Sequence, residues 1–280
     1  MNTSNSSLRD LEYQSMYIMR EAWHHFHDSL VMPYSMGKDS SVLLWLAKKA
    51  FFGHVPFPLL HIDTSYEFPE MYSFREEMAK KHNLNIIVKR NEEALARKVG
   101  YEHVDPETGR TYSSVKVTEQ LKTLALKQAI AEGKWRAMIT GVRKDEDPVR
   151  AKERFFSPRN AESTWDVADQ PPELWGLFST DMPPDGHMRV QPLLDWTETN
   201  IWEYIKANDI PIPSLYFSRE GKRFRSLGCH PITHPVNSPA SNIDEIIEEL
   251  RATRVPERAG RAQDHEKENA MESLRLKGFF

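Results

Sequence analysis

Cysteine is almost absent from the sequence, which has only Cys229 in 280 residues. One cysteine cannot form an internal disulfide or supply the four thiolates of an iron–sulfur cluster. The sequence also lacks any run of about eighteen apolar residues, and its polar N-terminus has no basic segment followed by an apolar one. We therefore expect a protein of the reducing cytoplasm, with no membrane span and no export signal.

The sequence has no marked excess of either charge, with 37 basic and 41 acidic residues and a formal net charge of -4. Nucleic-acid-binding domains usually carry a basic surface, so this balance disfavours that class. Hydrophobic residues make up 39% of the chain, which is ordinary for a soluble domain. Any anion-binding site must therefore be local.

Short apolar runs alternate along the chain with segments in which apolar residues recur every three or four positions. The runs predict strands at 30–34, 57–62, 85–88, 137–140 and 188–192. The periodic segments predict a first helix from Leu8 to Phe26 and further helices at 41–51, 68–82, 117–130, 198–207 and 241–253. This alternation predicts an α/β fold, a doubly wound parallel sheet covered on both faces.

Three features modify this outline. Residues 157–186 are rich in proline and have no period, which predicts an ordered excursion on the surface. Pro33 has no N–H to donate, so the first strand is expected to stop early. We expect one α/β domain over 1–214 and a C-terminal extension over 215–280 that packs on this domain or on a partner.

The loop after the first strand carries many anion-binding groups. It reads Ser35-Met36-Gly37-Lys38-Asp39-Ser40-Ser41 and leads into a helix. Gly37 permits a tight turn, the helix N-terminus offers unpaired N–H groups, and Lys38 adds a positive charge. The alternative is a capping Ser40 beside a solvated Lys38. The position and the number of donors favour a loop that binds a polyphosphate, in which Asp39 contacts a metal ion or bonds to the loop's own backbone.

A second polar loop follows the strand at 137–140. Gly141 opens it, and Arg143, Arg150 and Arg154 follow. Guanidinium groups suit tetrahedral oxyanions, and the last two arginines share a face if that piece is helical. The acidic neighbours leave a solvated, mixed-charge segment as the alternative. Because ligands of parallel sheets lie beyond the carboxyl ends of the strands, we expect both loops to form one anion site.

Other polar residues give weaker signals. Asp63 ends the second strand, where it could contact Mg²⁺ or a nucleotide hydroxyl or simply cap the next turn. A cluster of histidines lies on the first helix without the further ligands of a tetrahedral metal site, so we interpret it as a surface feature. Cys229 with His230 and His234 is likewise a minority candidate for a metal site. The clustered histidines are His24, His25 and His27.

These motifs together resemble the small subunit of the two-protein bacterial sulfate adenylyltransferase, in the ATP pyrophosphatase and PAPS reductase family. The resemblance rests on segments 34–41, 61–64, 150–154, 224–229 and 278–280. It implies an adenine-nucleotide α-hydrolase-like, Rossmann-like fold, ATP with Mg²⁺, sulfate as the acceptor, and a GTPase large subunit as partner. The implied reaction converts ATP and sulfate to adenosine 5'-phosphosulfate and pyrophosphate, the first step of sulfate assimilation.

The two loops and the resemblance together predict the site residues. The expected catalytic residues are Lys38, Arg143, Arg150 and Arg154. The expected nucleotide-binding residues are Ser35, Met36, Gly37, Asp39, Ser40, Ser41, Asp63 and Gly141. Asp39 is also the candidate ligand of Mg²⁺. Between Phe217 and Arg223 the chain is shorter than is usual in the family, which leaves gating or partner contact at this point open.

Three rival functions remain. A reductase of adenylylated sulfate has the same fold but uses a cysteine near its C-terminus, and no cysteine follows Cys229. A thiolation enzyme of the same superfamily would need further cysteines or a cluster. A nucleotide-binding module that regulates a GTPase without turnover would differ from an enzyme in pyrophosphate release with and without sulfate.

Overall fold

The structure of the protein is a computed structural model that describes residues 7–146, 148, 150–168, 170–253, 255 and 257. The rest of the charged tail and the 278–280 motif lie outside the described residues. None of the helices in the described ranges combines the length and the apolar character that a bilayer span requires.

A six-stranded sheet forms the centre of the molecule. Its strands are β1 (Leu30–Pro33), β2 (Leu59–Ile62), β3 (Ile86–Lys89), β6 (Ala137–Ile139), β7 (Phe156–Arg159) and β8 (His187–Val190). Their order is β3-β2-β1-β6-β8-β7, and all neighbours pair in parallel except β7 with β8. Two short antiparallel pairs lie apart from the sheet: β4 (Val104–Asp105) with β5 (Arg110–Thr111), and β9 (Lys222–Arg223) with β10 (Val236–Asn237).

Helices cover both faces of the sheet, so the prediction of an α/β fold with a largely parallel sheet is confirmed. They are α1 (Leu8–Phe26), α2 (Lys38–Ala50), α3 (Pro69–His82), α4 (Glu92–Ala96), α5 (Ser114–Thr118), α6 (Leu124–Gly133), α7 (Glu198–Ala207) and α8 (Ile243–Ala252). A π-helical segment, Glu119–Thr123, joins α5 to α6 without a break. Short 3-10 turns lie at His27–Ser29, Arg150–Lys152, Ser214–Tyr216 and His230–Ile232.

Capping residues explain where several helices begin. The side chain of Ser7 accepts a hydrogen bond from the backbone of Asp10, whose carboxylate accepts one in return, and α1 follows. Thr197 and Asn200 form the same reciprocal pair at the start of α7. Each pair satisfies backbone N–H groups that the first turn of a helix leaves unpaired.

Strand β1 shows how the sheet buries both of its faces. Leu30 and Met32 join the large core that α1, α2 and α7 cover, whereas Val31 faces a smaller core with Leu126 and other residues of α6. Alternate side chains of a strand point to opposite faces, so a strand covered on both sides is apolar throughout.

Strand β1 ends at Pro33, one residue before the predicted end, and its pairing with β6 stops earlier, at Val31. Met32 and Pro33 pair with β2, but only Leu30 and Val31 pair with β6. The strand order reverses here, because β2 lies on one side of β1 and β6 on the other. Such a reversal opens a crevice at the carboxyl ends of the two strands, which is the usual ligand site of doubly wound sheets.

The proline-rich segment is only partly the irregular excursion that the sequence predicts. Its first residues form β7, which pairs with β8 from Phe156 opposite Val190 to Arg159 opposite His187. Pro158 is tolerated because β7 is an edge strand with one side unpaired.

The short segment between Phe217 and Arg223 forms a tight turn. The backbones of Arg219 and Lys222 exchange two hydrogen bonds of 2.8 and 3.1 Å. Between them Glu220 and Gly221 have φ angles of 54° and 78°. Two successive positive φ values are typical of a two-residue hairpin turn, which closes this segment compactly.

Candidate active site

The loop after β1 turns sharply before α2. Met36 is fully buried and has a φ of 59°, a left-handed conformation that is uncommon for a bulky residue. Gly37 is the N-cap of α2 and lies against Tyr216, where an added Cβ would be 3.3 Å from the phenol oxygen. A larger residue at position 37 would press on that ring, so the close approach explains the glycine.

Hydroxyl groups line the first turn of α2. The backbone N–H of Lys38 donates to the Tyr216 hydroxyl at 2.9 Å. Ser40 Oγ donates to the Gly37 carbonyl at 3.0 Å and lies 3.3 Å from Ser35 Oγ. Ser41 is fully buried in the same turn. The predicted loop therefore presents hydroxyls and a helix N-terminus together.

The loop after β6 meets the loop after β1. An added Cβ at Gly141 would be 3.3 Å from the Asp39 Cβ and 3.4 Å from a methyl group of Leu43, so the glycine allows α2 to approach closely. Two residues later, the fully buried Arg143 forms an ion pair with Asp39. The prediction that both loops share one rim of the sheet is confirmed.

Lys38 and Arg143 converge on a single carboxylate, that of Glu257. Glu257 Oε1 contacts the Lys38 ammonium and Oε2 contacts the Arg143 guanidinium. Both cations are at most 1% exposed. Burial alone would lower their pKa values, but the surrounding carboxylates outweigh it and raise the pKa of both groups, so both stay charged.

Arg143 has further carboxylate partners. Its Nε donates to Asp145 at 2.9 Å, and Glu146 lies 3.7 Å from Nη1. Glu146 also pairs with Arg150, which is buried in a 3-10 turn. Acidic neighbours thus surround Arg143 and Arg150 and form ion pairs with these buried arginines. The alternative interpretation, a solvated mixed-charge segment, does not describe this loop.

Arg154 is not brought into this cluster. Arg150 and Arg154 would share a face only if this piece were helical, but only Arg150–Lys152 forms a 3-10 turn and the chain then straightens into β7. The Arg154 side chain is exposed, while Arg150 lines the pocket.

Asp63 is fully buried at the end of β2 and is saturated by protein donors. Its Oδ1 accepts from the Ser65 N–H at 2.8 Å and the Tyr72 hydroxyl at 2.9 Å, and its Oδ2 accepts from Arg90 at 2.5 and 3.0 Å. Burial opposes the charge, but these donors lower the pKa of the Asp63 carboxyl overall. This arrangement favours the turn-fixing interpretation of Asp63 over the nucleotide contact.

A pocket opens at the carboxyl ends of β1, β2 and β6. Its polar wall contains Ser35, Ser40, Asp39, Arg150 and Glu257, and its apolar wall contains Leu60, Ile62, Val142 and Leu227. The pocket thus combines an anion-binding end with a surface suited to a flat apolar ring.

Sequence reasoning missed Tyr216 and Glu257. Each contacts Lys38 across a large sequence separation, 178 and 219 residues respectively. No local spacing signals such a contact, so only the folded chain reveals it. Within the predicted 224–229 motif, Leu227 lines the pocket and Arg225 pairs with Glu198.

The histidine and cysteine candidates do not form a metal site in the part of the chain that the structure describes. Within the described ranges no group of three or more histidine, cysteine or acidic side chains is arranged to hold an ion. His24 and His25 contact each other edge to face at the surface. Cys229 is buried 3.2 Å from the Thr64 hydroxyl, and burial raises the pKa of its thiol.

Comparison with protein families identifies related sequences. Residues 29–235 match the phosphoadenosine phosphosulfate reductase domain. The chain is 41% identical over 310 aligned positions to sulfate adenylyltransferase subunit 2 of Citrifermentans bemidjiense, with all of both chains covered. It is 39% identical to the protein of the same name from Akkermansia muciniphila, with 98% of each chain covered.

Solved structures share the fold at lower identity. Phosphoadenylyl-sulfate reductase from Candida auris, in a phosphate complex, is similar with a TM-score of 0.53 and 18% identity, covering 84% of this chain and 99% of that one. FMN adenylyltransferase from Candida glabrata, with FMN and an ATP analogue, is similar with a TM-score of 0.52 and 20% identity, covering 84% and 67%. At such identity the likeness supports the adenine-nucleotide α-hydrolase-like fold alone.

Proposed function

This chain belongs to the sulfate adenylyltransferase subunit 2 family, and we propose that it transfers the adenylyl group of ATP to sulfate and releases pyrophosphate. The observation that carries the proposal is the meeting of Lys38 and Arg143, from two separate loops, on one carboxylate at the switch point of the sheet. Two buried cations around one small anion suit a phosphate or a sulfate group. The reaction is the first step of sulfate assimilation toward cysteine.

Each part of the site has a role in this proposal. The Ser35–Ser41 loop and Lys38 hold the pyrophosphate end of ATP, because the Ser35 and Ser40 hydroxyls line the pocket and the Lys38 ammonium contacts Glu257, which also lines it. Arg143 and Arg150 hold sulfate and the α-phosphate. Arg154 has no role in this proposal, since its side chain is exposed and does not line the pocket.

Catalysis in this proposal comes from positioning and electrostatics. Sulfate is fully ionised at neutral pH, so its attack on the α-phosphate needs no general base. The negative charges of sulfate and of the leaving pyrophosphate repel each other, and fixed cations on both sides of the reacting phosphorus offset that repulsion. Burial of Lys38 and Arg143 strengthens the effect because little water screens them.

The residues present fit a magnesium ion that arrives with the nucleotide. Mg²⁺ is commonly held by one or two carboxylates together with substrate phosphates, and the Asp39 carboxylate lines the pocket. Asp39 also bonds to Lys38 and Arg143, so it is placed between the two cations. When bound there, the ion would neutralise part of the phosphate charge.

A partner subunit completes the enzyme in this proposal. The name of the relatives, subunit 2, implies a second chain, and the family resemblance makes it a GTPase whose hydrolysis drives the unfavourable adenylylation. We place the heterodimer in the cytoplasm, where a lone buried thiol such as Cys229 stays reduced. Size-exclusion chromatography with the GTPase subunit encoded in the same genome tests this part.

The related reductase reaction fits the chain less well. A reductase needs a reactive thiolate, and thiolates form where the thiol pKa is lowered. Cys229, the sole cysteine of the sequence, is buried and has a raised pKa. The shared domain therefore supports nucleotide binding here and not thiol chemistry.

The decisive experiment is exchange of labelled pyrophosphate into ATP with and without sulfate. We expect exchange that requires sulfate, with molybdate tested in its place as another tetrahedral anion. Nucleotide binding without any anion-dependent exchange would instead identify a regulatory module.

Substitution of the two cations tests the roles of the residues. Lys38→Ala and Arg143→Ala should each lower the exchange rate by about 10²–10³-fold, the usual loss on removal of one preorganised donor. Arg150→Ala should cost more than Arg154→Ala, because only Arg150 is buried in the pocket. Lys144→Ala is the matched control, since Lys144 pairs with Asp195 at the surface. Full exchange in Lys38→Ala and in Arg143→Ala would refute the assignment of these two cations to the reacting anions.

A further inference from the structure

The chain places one of its own carboxylates in the anion site. Helix α8 ends at Ala252, and Glu257 lies a few residues beyond it. The Glu257 side chain is only 7% exposed and lines the same pocket as Ser35 and Arg150. Glu257 therefore occupies the space that the proposed function reserves for a substrate oxyanion.

The contacts of Glu257 reproduce those of an oxyanion edge. One carboxylate oxygen contacts the Lys38 ammonium and the other contacts the Arg143 guanidinium. Phosphate and sulfate also present two neighbouring, negatively charged oxygens to such cations. Burial opposes the charge of Glu257, but the two cations outweigh it and hold the pKa of its carboxyl well below the ordinary value. The carboxylate is therefore an ionised competitor at neutral pH.

Arg225 holds the backbone near Glu257. Arg225 donates from Nη1 to the Val255 carbonyl at 2.6 Å. The same guanidinium pairs with Glu198 at the start of α7, at 2.7 Å. This hydrogen bond holds the backbone at Val255, two residues before Glu257.

Glu257 differs from the other carboxylates around Arg143. Asp39 lies in the first turn of α2, and Asp145 and Glu146 belong to the loop after β6. All three are built into the walls of the site. Glu257 comes from beyond the last helix that the structure describes and adds the fourth negative charge.

We propose that Glu257 is an intramolecular occupant of the oxyanion subsite formed by Lys38 and Arg143, and that substrate binds there by displacing it. The inference rests on the proposed function only in assigning these cations to a substrate anion. An occupied subsite raises the apparent Kd of the incoming anion to the intrinsic Kd divided by the fraction of molecules in which the subsite is open. It also keeps two buried cations paired while no substrate is present.

The test uses the full chain with inorganic pyrophosphate and sulfate as separate probes in titration calorimetry. Glu257→Gln removes the charge and keeps the shape, and it should tighten binding of at least one probe about ten-fold if about a tenth of the molecules are open. Tighter pyrophosphate binding assigns the subsite to the leaving group, and tighter sulfate binding assigns it to the acceptor. Glu248→Gln, which removes an exposed charge from α8, should leave both affinities unchanged. Unchanged or weaker binding of both probes to Glu257→Gln would overturn the proposal.

A second measurement needs no substitution. Hydrogen exchange of the unmodified chain should show faster exchange at the Glu257 amide when the subsite-binding probe is added, because that anion expels the carboxylate. Slower or unchanged exchange at saturating concentrations of both probes would overturn displacement. Failure of the proposed reaction gives a different result: sulfate-dependent exchange of pyrophosphate into ATP would be absent while Glu257→Gln still bound an anion more tightly.

Discussion

A single hydroxyl group positions the anion loop. The Tyr216 oxygen accepts the Lys38 N–H at the start of α2 and is itself fully buried. Tyr216→Phe leaves that N–H without its acceptor, so we expect the free energy of unfolding to fall by about 1–3 kcal/mol. Urea denaturation measures this change. The control is Tyr13→Phe, at a half-exposed tyrosine on α1, where a loss of less than about 0.5 kcal/mol is expected. Equal losses in the two variants would contradict the role of the hydroxyl.

Asp63 makes the stability of the fold depend on pH. Its pKa is lowered in the folded state, so its contribution is present above the ordinary carboxyl pKa near 3.8 and is lost as the pH falls through the folded-state value. Asp63→Asn should therefore destabilise the protein at pH 7 by about 1–3 kcal/mol, since charged hydrogen bonds are lost. The difference from the unmodified chain should shrink below about pH 4.

Unfolding free energies measured between pH 3 and pH 7 test this prediction. Asp28→Asn, at an exposed aspartate, is the control and should run parallel to the unmodified chain. A difference for Asp63→Asn that stays constant across this range would show that lost packing, and not the charge, destabilises the variant.

At the scale of helices and strands, local signals decided what could be predicted. Helix α7 has the predicted bounds, because Thr197 is a recognisable cap and the apolar period behind it is regular. Strand β7 was missed, because Phe156–Arg159 contains a proline and lies in a segment without alternation. Its identity as a strand comes from pairing with β8, a tertiary effect that short sequence windows do not contain.

In the site, too, the parts with a local sequence signal were predictable and the parts that depend on tertiary contacts were not. The loops at Ser35–Ser41 and Gly141–Arg143 were predictable, since each follows a strong strand signal and parallel strands end at a common rim. The contacts of Tyr216 and Glu257 were not, because they depend on how distant segments fold back over the sheet. Sequence therefore located Lys38, Asp39 and Arg143 but not the distant Tyr216 and Glu257 that contact Lys38.

The edge of the sheet near β7 depends on one glycine. A Cβ added at Gly186 would lie 2.3 Å from the Arg159 carbonyl oxygen and 3.0 Å from that of Pro183. Both neighbours are backbone and cannot rotate away, so Gly186→Ala should cost about 3 kcal/mol, the upper end for overpacking. Thermal unfolding measures this loss of stability, and Gly109→Ala is the control. An added Cβ at Gly109 meets nothing within 4 Å, so only its positive φ should destabilise that variant, by about 1 kcal/mol. An equal or greater cost at Gly109 would contradict this account of the edge.

At the scale of the whole molecule, one core joins the sheet to the C-terminal region. Leu215 and Tyr216 belong to the same buried cluster as Met32 of β1, and Ile246 of α8 is fully buried in it. The described part of the region beyond residue 214 thus shares the core of the α/β domain. A shared core predicts that the two regions unfold together.

Ile246→Ala tests this coupling. Deleting buried methyl groups should lower the free energy of unfolding by about 2–5 kcal/mol, through lost apolar burial and the cavity that remains. Because the core is common, tryptophan fluorescence, circular dichroism and nucleotide binding should all be lost in one transition at the same lower urea concentration. Val255→Ala, at a half-exposed aliphatic residue, should shift that transition by less than about 0.5 kcal/mol. If α8 instead melted first while the pocket still bound nucleotide, the C-terminal region would be an independent unit resting on the domain.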